Sequence, residues 1–137
     1  MLFIDTGALI ARLVERDQHH ERALEAWAAL AKGQQRCATS NYVLDECITL
    51  LARKTTYGFA ASEGRKLYAS SRLDVLRPDA ADERSAIELF SKYADQRVSF
   101  TDCVSFVLMK RSRIRRVFAF DRHFAVAGFE LWPLSLP

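Results

Sequence analysis

Leu2-Phe3-Ile4-Asp5 opens the chain with three consecutive apolar residues closed by an acid. A run that short, apolar without alternation, reads as a strand buried on both faces, as the inner strands of parallel sheets are. Val117-Phe118-Ala119-Phe120-Asp121 repeats the pattern near the other end, with an apolar strand over residues 117–120 directly followed by an acid. Outward from these two stretches the chain keeps alternating. Residues 7–13 suit a short helix. Residues 18–31 carry Ala23, Leu24, Trp27 and Leu30 at helical spacing, and Lys32-Gly33 ends that helix. Residues 36–39 read as a strand, after which Ser40 can cap a helix over 41–54 with the stripe Val43, Leu44, Cys47, Ile48 and Leu51. A helix over 57–70, a strand over 73–76, and a helix from Pro78-Asp79 to about residue 93 follow. Then come a helix over 99–110 and a short strand over 129–132. The middle of the 99–110 helix, Cys103 to Met109, is apolar almost all round, which places it inside the molecule.

Strands separated by helices mean an α/β fold with a parallel sheet covered on both faces. Right-handed crossovers then bring every strand's carboxyl end to one edge, where ligands of open α/β sheets bind near the switch in strand order. The 137 residues, half of them hydrophobic and 27% charged, suit a single domain over 1–137 with a core that needs no staple. Twenty basic against seventeen acidic residues leave +3, too small a surplus to mark a nucleic-acid binder by itself. Cys37, Cys47 and Cys103 form no CxxC pair, so neither a zinc ribbon nor a thioredoxin-type motif is supported, and buried thiols in a reducing compartment are the plain reading. The first residues lack the basic region of a signal peptide, and no stretch reaches the length of a membrane span. A cytoplasmic protein without a membrane partner is expected.

The acids fall in a pattern. Asp5 and Asp121 end the two most apolar strands, Asp102 sits in the first turn of the buried helix, and Glu46 lies in the second turn of the helix after Ser40. Each has an ordinary explanation. Asp5 can cap a helix, Ser99-x-x-Asp102 resembles a capping box, Asp121 can close an Asx turn, and Glu46 can be a solvated helix charge. None of these explains why all four share one edge. Carboxylates gathered beside an apolar core repel one another and pay for burial, and a divalent cation relieves both costs. An all-oxygen set calls for a hard cation, Mg²⁺ or Mn²⁺. His19, His20 and His123 fit no spaced metal motif, and His19-His20 reads as solvated. The helical wheel leaves Glu46 and its neighbour Asp45 both open as the inward acid.

Four stretches, Ile4-Asp5-Thr6-Gly7-Ala8, Asn41-Tyr42-Val43-Leu44-Asp45-Glu46, Ser99-Phe100-Thr101-Asp102 and Phe120-Asp121-Arg122-His123-Phe124, resemble in order and spacing the PIN domain, and within it the VapC-type toxins of toxin–antitoxin pairs. The resemblance spans essentially the whole chain. It implies a three-layer α/β/α sandwich with a mostly parallel sheet, metal-dependent endoribonuclease activity on single-stranded or loop RNA, a homodimer and a cognate antitoxin. By motif match, Asp5, Glu46, Asp102 and Asp121 take the places of the acidic quartet that binds metal and carries catalysis, which selects Glu46 over Asp45. Thr6 and Thr101 match supporting hydroxyl positions. Two departures stand out. Ser99 and Ala119 occupy places where some members carry a further acid, which leaves fewer ligands for a second ion, and Gly7 replaces the commoner Ser.

The expected mechanism is attack of water on the phosphodiester, leaving a 5′-phosphate and a 3′-hydroxyl. Arg122 and His123 directly follow Asp121 and are placed near the phosphate. Lys110-Arg111-Ser112-Arg113-Ile114-Arg115-Arg116 packs five positive charges into seven residues, but it precedes a strand and so belongs on the edge opposite the acids. It reads as a solvated face, or as contacts to phosphate or to an antitoxin's acidic tail. The helices over 18–31 and 57–70 carry Trp27, Tyr57, Phe59 and Tyr68, and a partner groove between them follows from the family rather than from the pattern. The rival readings are a structure-specific DNA nuclease and a catalytically silent binding module of the same fold. A receiver-type signalling domain lacks its adjacent acid pair here, and a haloacid-dehalogenase phosphatase lacks its Asp-x-Asp-x-Thr.

Overall fold

The apolar run at the amino terminus forms β1 (Leu2–Ile4), and all three of its residues are buried. The structure, a computed structural model, describes residues 1–133. Beyond β1 come α1 (Thr6–Leu13), α2 (His20–Lys32), β2 (Cys37–Ser40), α3 (Asn41–Lys54), α4 (Tyr57–Ala69), β3 (Leu73–Leu76) and α5 (Ala80–Lys92). After a short 3-10 turn follow α6 (Phe100–Arg111), β4 (Arg116–Phe118), α7 (His123–Val126) and β5 (Glu130–Trp132). The five strands make one sheet in the order β3-β2-β1-β4-β5, with every neighbouring pair parallel. The chain builds outward from β1 to β2 and β3, then returns to the other side of β1 for β4 and β5. The switch in strand order therefore lies between β1 and β4, and residues 5 and 119–122 emerge there.

Helices cover both faces of the sheet. Phe3 and Val117 are paired in register and share a face. On that face Phe3 meets Phe124 of α7, which in turn meets Phe106 of α6 edge to face at 5.0 Å between ring centroids. On the other face Phe118 meets Trp27 of α2 at 5.3 Å and Trp132 of β5 at 5.2 Å. The helix starts follow their caps. Ser40 Oγ accepts from the Val43 N–H at 3.0 Å, and Asp79 and Asp82 close a reciprocal capping box at the start of α5. All three cysteines are free and buried, as their apolar settings led one to expect. Among the described residues no helix is long and apolar enough to cross a membrane.

The structure departs from the sequence expectations at several residues. The second apolar strand, expected over 117–120, ends at Phe118, so Asp121 does not directly follow it. Alternation could not reveal this, because Ala119 and Phe120 are apolar for another reason: Phe120 packs edge-on against Phe118 from outside the sheet. Leu24 is not part of the buried stripe of α2, where Ala23, Ala26 and Leu30 are buried and Leu24 is exposed. His19 and His20 are half-buried rather than solvated. The His20 ring Nδ1 lies 2.7 Å from the Ala11 carbonyl oxygen, and the His19 ring stacks on Phe120.

Candidate active site

Asp5 stands at the end of the central strand, where its N–H donates to the Phe118 carbonyl at 3.1 Å and extends the β1–β4 pairing by one step. It occupies the N-cap position of α1, yet its side chain makes no capping hydrogen bond, so capping does not account for it. Asp5 is only 4% exposed. Its carboxyl group is held well above the usual carboxylate range, first by burial and then by the negative charges of Asp102 and Asp121, with a smaller push from Glu46 and the Thr6 amide acting the other way. Three acids remote in sequence therefore act on one buried side chain.

Asp102 is buried in the first turn of α6. The Ser99 hydroxyl caps its N–H at 3.0 Å, which is the backbone half of the expected capping box. The carboxylate itself turns elsewhere, with Oδ2 3.0 Å from His123 Nδ1. Burial raises the Asp102 carboxyl, Asp121 adds to that, and His123 works against it. Asp121 is held differently. Its Oδ1 accepts from the His123 N–H at 3.0 Å, the Asx turn the sequence allowed, and its side chain is 48% exposed. Glu46 is half-buried in the second turn of α3, while Asp45 is exposed. Thr6 is buried and its Oγ1 has no hydrogen-bond partner. Thr101 is half-buried, and its carbonyl accepts from the Ser105 hydroxyl at 3.0 Å. Arg122 is exposed, immediately before α7.

The sequence placed His123 near the substrate but gave it no part among the acids. The structure sets its Nδ1 against Asp102 and 3.8 Å from Asp121 Oδ1. The signal available was its position two residues after Asp121, at the start of α7. A hard cation suits the chemistry here, with oxygen donors from Asp5, Asp102, Asp121 and Glu46 and the unpartnered Thr6 hydroxyl beside them. Among the described residues, no three His, Cys, Asp or Glu side chains are arranged to hold an ion. The carboxylates share an electrostatic field without forming a closed ligand set.

Two further regions bear on function. Arg111, in the basic run, is not a free cation: it pairs with the Asp82 carboxylate and donates to the Arg77 carbonyl at 3.4 Å. Arg116 opens β4 opposite Leu2, at the strand ends away from Asp5. Elsewhere a groove of about 830 Å³ is lined by residues that include Arg12, Trp27 and Leu30 on one side and Lys66, Leu67 and Leu73 on the other. The Arg12 guanidinium lies 4.0 Å from the centre of the Trp27 ring, and Trp27 Nε1–H donates to the Ala8 carbonyl at 3.1 Å.

The model of the PIN domain matches residues 2–130. The chain is 32% identical over 130 residues to a protein of Mycobacterium tuberculosis described as the 23S rRNA-specific endonuclease VapC20, covering 94% of this chain and 95% of that one. It is 27% identical over 133 residues to a VapC ribonuclease of Archaeoglobus fulgidus, covering 94% and 83%. The crystal structure of the Mycobacterium VapC20, described as a Sarcin-Ricin loop cleaving toxin, superposes with a TM-score of 0.86 at 30% identity over 94% of this chain and 96% of that one. DNA-bound VapBC from Salmonella typhimurium shares the fold, with a TM-score of 0.66 at 18% identity over 96% of this chain and 97% of that chain.

Proposed function

We propose, from the premise that this chain belongs to the PIN-domain family and to its VapC-type members, that it is a metal-dependent endoribonuclease and the toxin of a toxin–antitoxin pair. Nuclease activity follows from the family. RNA as substrate, Mg²⁺ or Mn²⁺ as cofactor and the roles of individual residues are our reading. The observation that carries it is Asp5: a carboxylate at the end of the central strand, buried, used by no cap, and burdened by three other acids. A fold maintains such a cost where something binds.

Asp5, Glu46, Asp102 and Asp121 would hold the ion. The chemistry it supplies is to strengthen water as a nucleophile at neutral pH and to offset charge on the scissile phosphate. The chain's own groups do the rest. The hydrogen bond from Asp5 to Phe118 fixes the carboxylate's base at the switch in strand order. The Thr6 hydroxyl is free to donate to a reacting oxygen. His123, with Nδ1 against Asp102 and its N–H on Asp121, sets the orientation of both carboxylates. Water attacks phosphorus, the bond to the 3′ oxygen breaks, and that oxygen takes up a proton, leaving a 5′-phosphate and a 3′-hydroxyl.

The test is end-group analysis of a cleaved loop-bearing RNA with Mn²⁺ present and after chelation. Cleavage that survives chelation, or a cyclic phosphate product, would overturn the reading. Preferential cutting of a matched DNA would favour the DNA-nuclease alternative instead. The groove lined by Trp27, Leu30 and Leu67 is the proposed seat of the antitoxin, with Arg12 and Lys66 offering positive charge to an acidic segment. A homodimer is proposed on the same family grounds, and light scattering of the purified chain checks it.

A further inference from the structure

Residues on both sides of Asp121 line a separate cavity of about 400 Å³. Its walls include Phe120, Phe129 and Leu131, and its charged groups include Arg22 from α2, Arg122 and Glu130. His19 also lines it, and the His19 ring lies parallel to that of Phe120, at 7° with centroids 4.5 Å apart. Both rings are half-buried. Among the described residues neither Arg22 nor Arg122 pairs with a carboxylate. A flat aromatic step beside two uncommitted guanidinium groups fits a nucleotide. A base stacks on the rings whatever its identity, and guanidinium recognises phosphate in a fork geometry. Only an unpaired base can leave its own stack to use such a step, so the chemistry favours single strands and loops over duplex.

We propose that this cavity is a nucleotide subsite. It takes one unpaired base of the RNA flanking the scissile phosphate, stacked at the His19–Phe120 step, with an adjacent phosphate held by Arg22 and Arg122. Glu130 offers an acceptor to an exocyclic amino group of that base. The inference rests on the ribonuclease reading and deepens it: the acids do the cutting, and this pocket decides which nucleotide lies beside the cut.

The experiment uses the full chain carrying Asp5→Asn, so that bound RNA stays intact, and a fluorescein-labelled single-stranded oligoribonucleotide of a sequence the unmodified chain cuts. Anisotropy gives the affinity across a salt series. Phe120→Leu is expected to weaken binding roughly 5- to 150-fold, the range of one lost base stack. Arg122→Ala, an exposed position, is expected to weaken it and to lower the salt slope by about one phosphate contact. An oligonucleotide with one abasic position beside the cut should bind the Asp5→Asn chain as weakly as Phe120→Leu binds the intact oligonucleotide. It should lose nothing more in the Phe120→Leu background. Thermal melts establish that each variant is folded. If the unmodified chain cuts RNA but both variants keep its affinity and salt slope, or the abasic and Phe120 losses simply add, the subsite is refuted and the ribonuclease reading stands. If the unmodified chain neither cuts nor binds RNA, both fall together.

Discussion

Two acidic groups sit at helix starts in this molecule, and they are built in opposite ways. At α5, Asp79 and Asp82 bond each other's backbone N–H groups, and Asp82 pairs with Arg111. Asp79 is held below the ordinary carboxylate range, chiefly by the Asp82 N–H. At the other group, Asp5 caps nothing and is pushed well above that range by burial and neighbouring acids. Asp102 is pushed the same way, with His123 only partly offsetting it. Ser99-x-x-Asp102 suggests a capping box in sequence, yet only its Ser99 half forms, whereas the box at Asp79 and Asp82 closes. The difference is whether the carboxylate's demand for donors is met inside the protein. Where it is met, the acid serves the fold; where it is not, the acid is available to a ligand.

The contrast predicts a separation of activity from stability. The largest effect belongs to Asp5→Asn, which should cut RNA cleavage by more than about 100-fold, because losing even an outer partner of a metal ligand costs 10–100-fold. A folded Asp5→Asn chain that still cleaves at the original rate would break the comparison. Next is the ion itself. Saturating Mn²⁺, at about 100 times its Kd, should stabilise the unmodified chain by about 2.7 kcal/mol, read as a rise in Tm, and should leave Asp5→Asn unmoved. An equal rise in both proteins would place the ion elsewhere.

Asp82→Ala should do the reverse. It removes half the capping box and strands Arg111, at a cost of about 2 kcal/mol in denaturant melts, while cleavage per folded molecule stays the same. A smaller effect sharpens the comparison through pH. The folded-state values of Asp5 and Asp102 are raised, so the unfolded chain gives up those protons first. Stability of the metal-free chain should therefore fall as pH rises from the ordinary carboxylate range through the raised values. Melts of the unmodified chain and Asp5→Asn should diverge across that window, the variant being the more stable at neutral pH. Parallel curves would mean that Asp5 is not burdened. Smallest is Gly7→Ala, which should stabilise the chain by about 0.4–1 kcal/mol through the lost freedom of the unfolded glycine. An added Cβ there meets only Asp5 Oδ2, at 4.0 Å, so the site should tolerate it.

Most of the architecture was legible because it rests on local patterns. The bounds of α3 and β3 agree with the sequence reading to the residue, since Ser40 is a strong cap and the strand is framed by polar residues and Pro78. The end of β4 was not legible. Phe120 is apolar because it packs beside the sheet and stacks on His19, and an alternation rule cannot tell that from a place within the strand. The same limit hid Leu24, whose helical spacing is sound but whose side of α2 faces away from the sheet. In the basic run, charge density was visible, yet the pairing of Arg111 with Asp82 joins residues 29 apart in the chain.

The sequence by itself determined the alternation of strands and helices, the family, and the fact that acids follow the two most apolar runs. Those properties depend on periodicity, capping and residue order, which are local or carried by motif. Only the tertiary structure decided which acids share a field, that His123 stands between Asp102 and Asp121, and that His19 reaches Phe120 across the molecule. Electrostatic coupling and ring stacking act through space over a few ångströms, and distance along the chain says nothing about them until the sheet brings β1 beside β4.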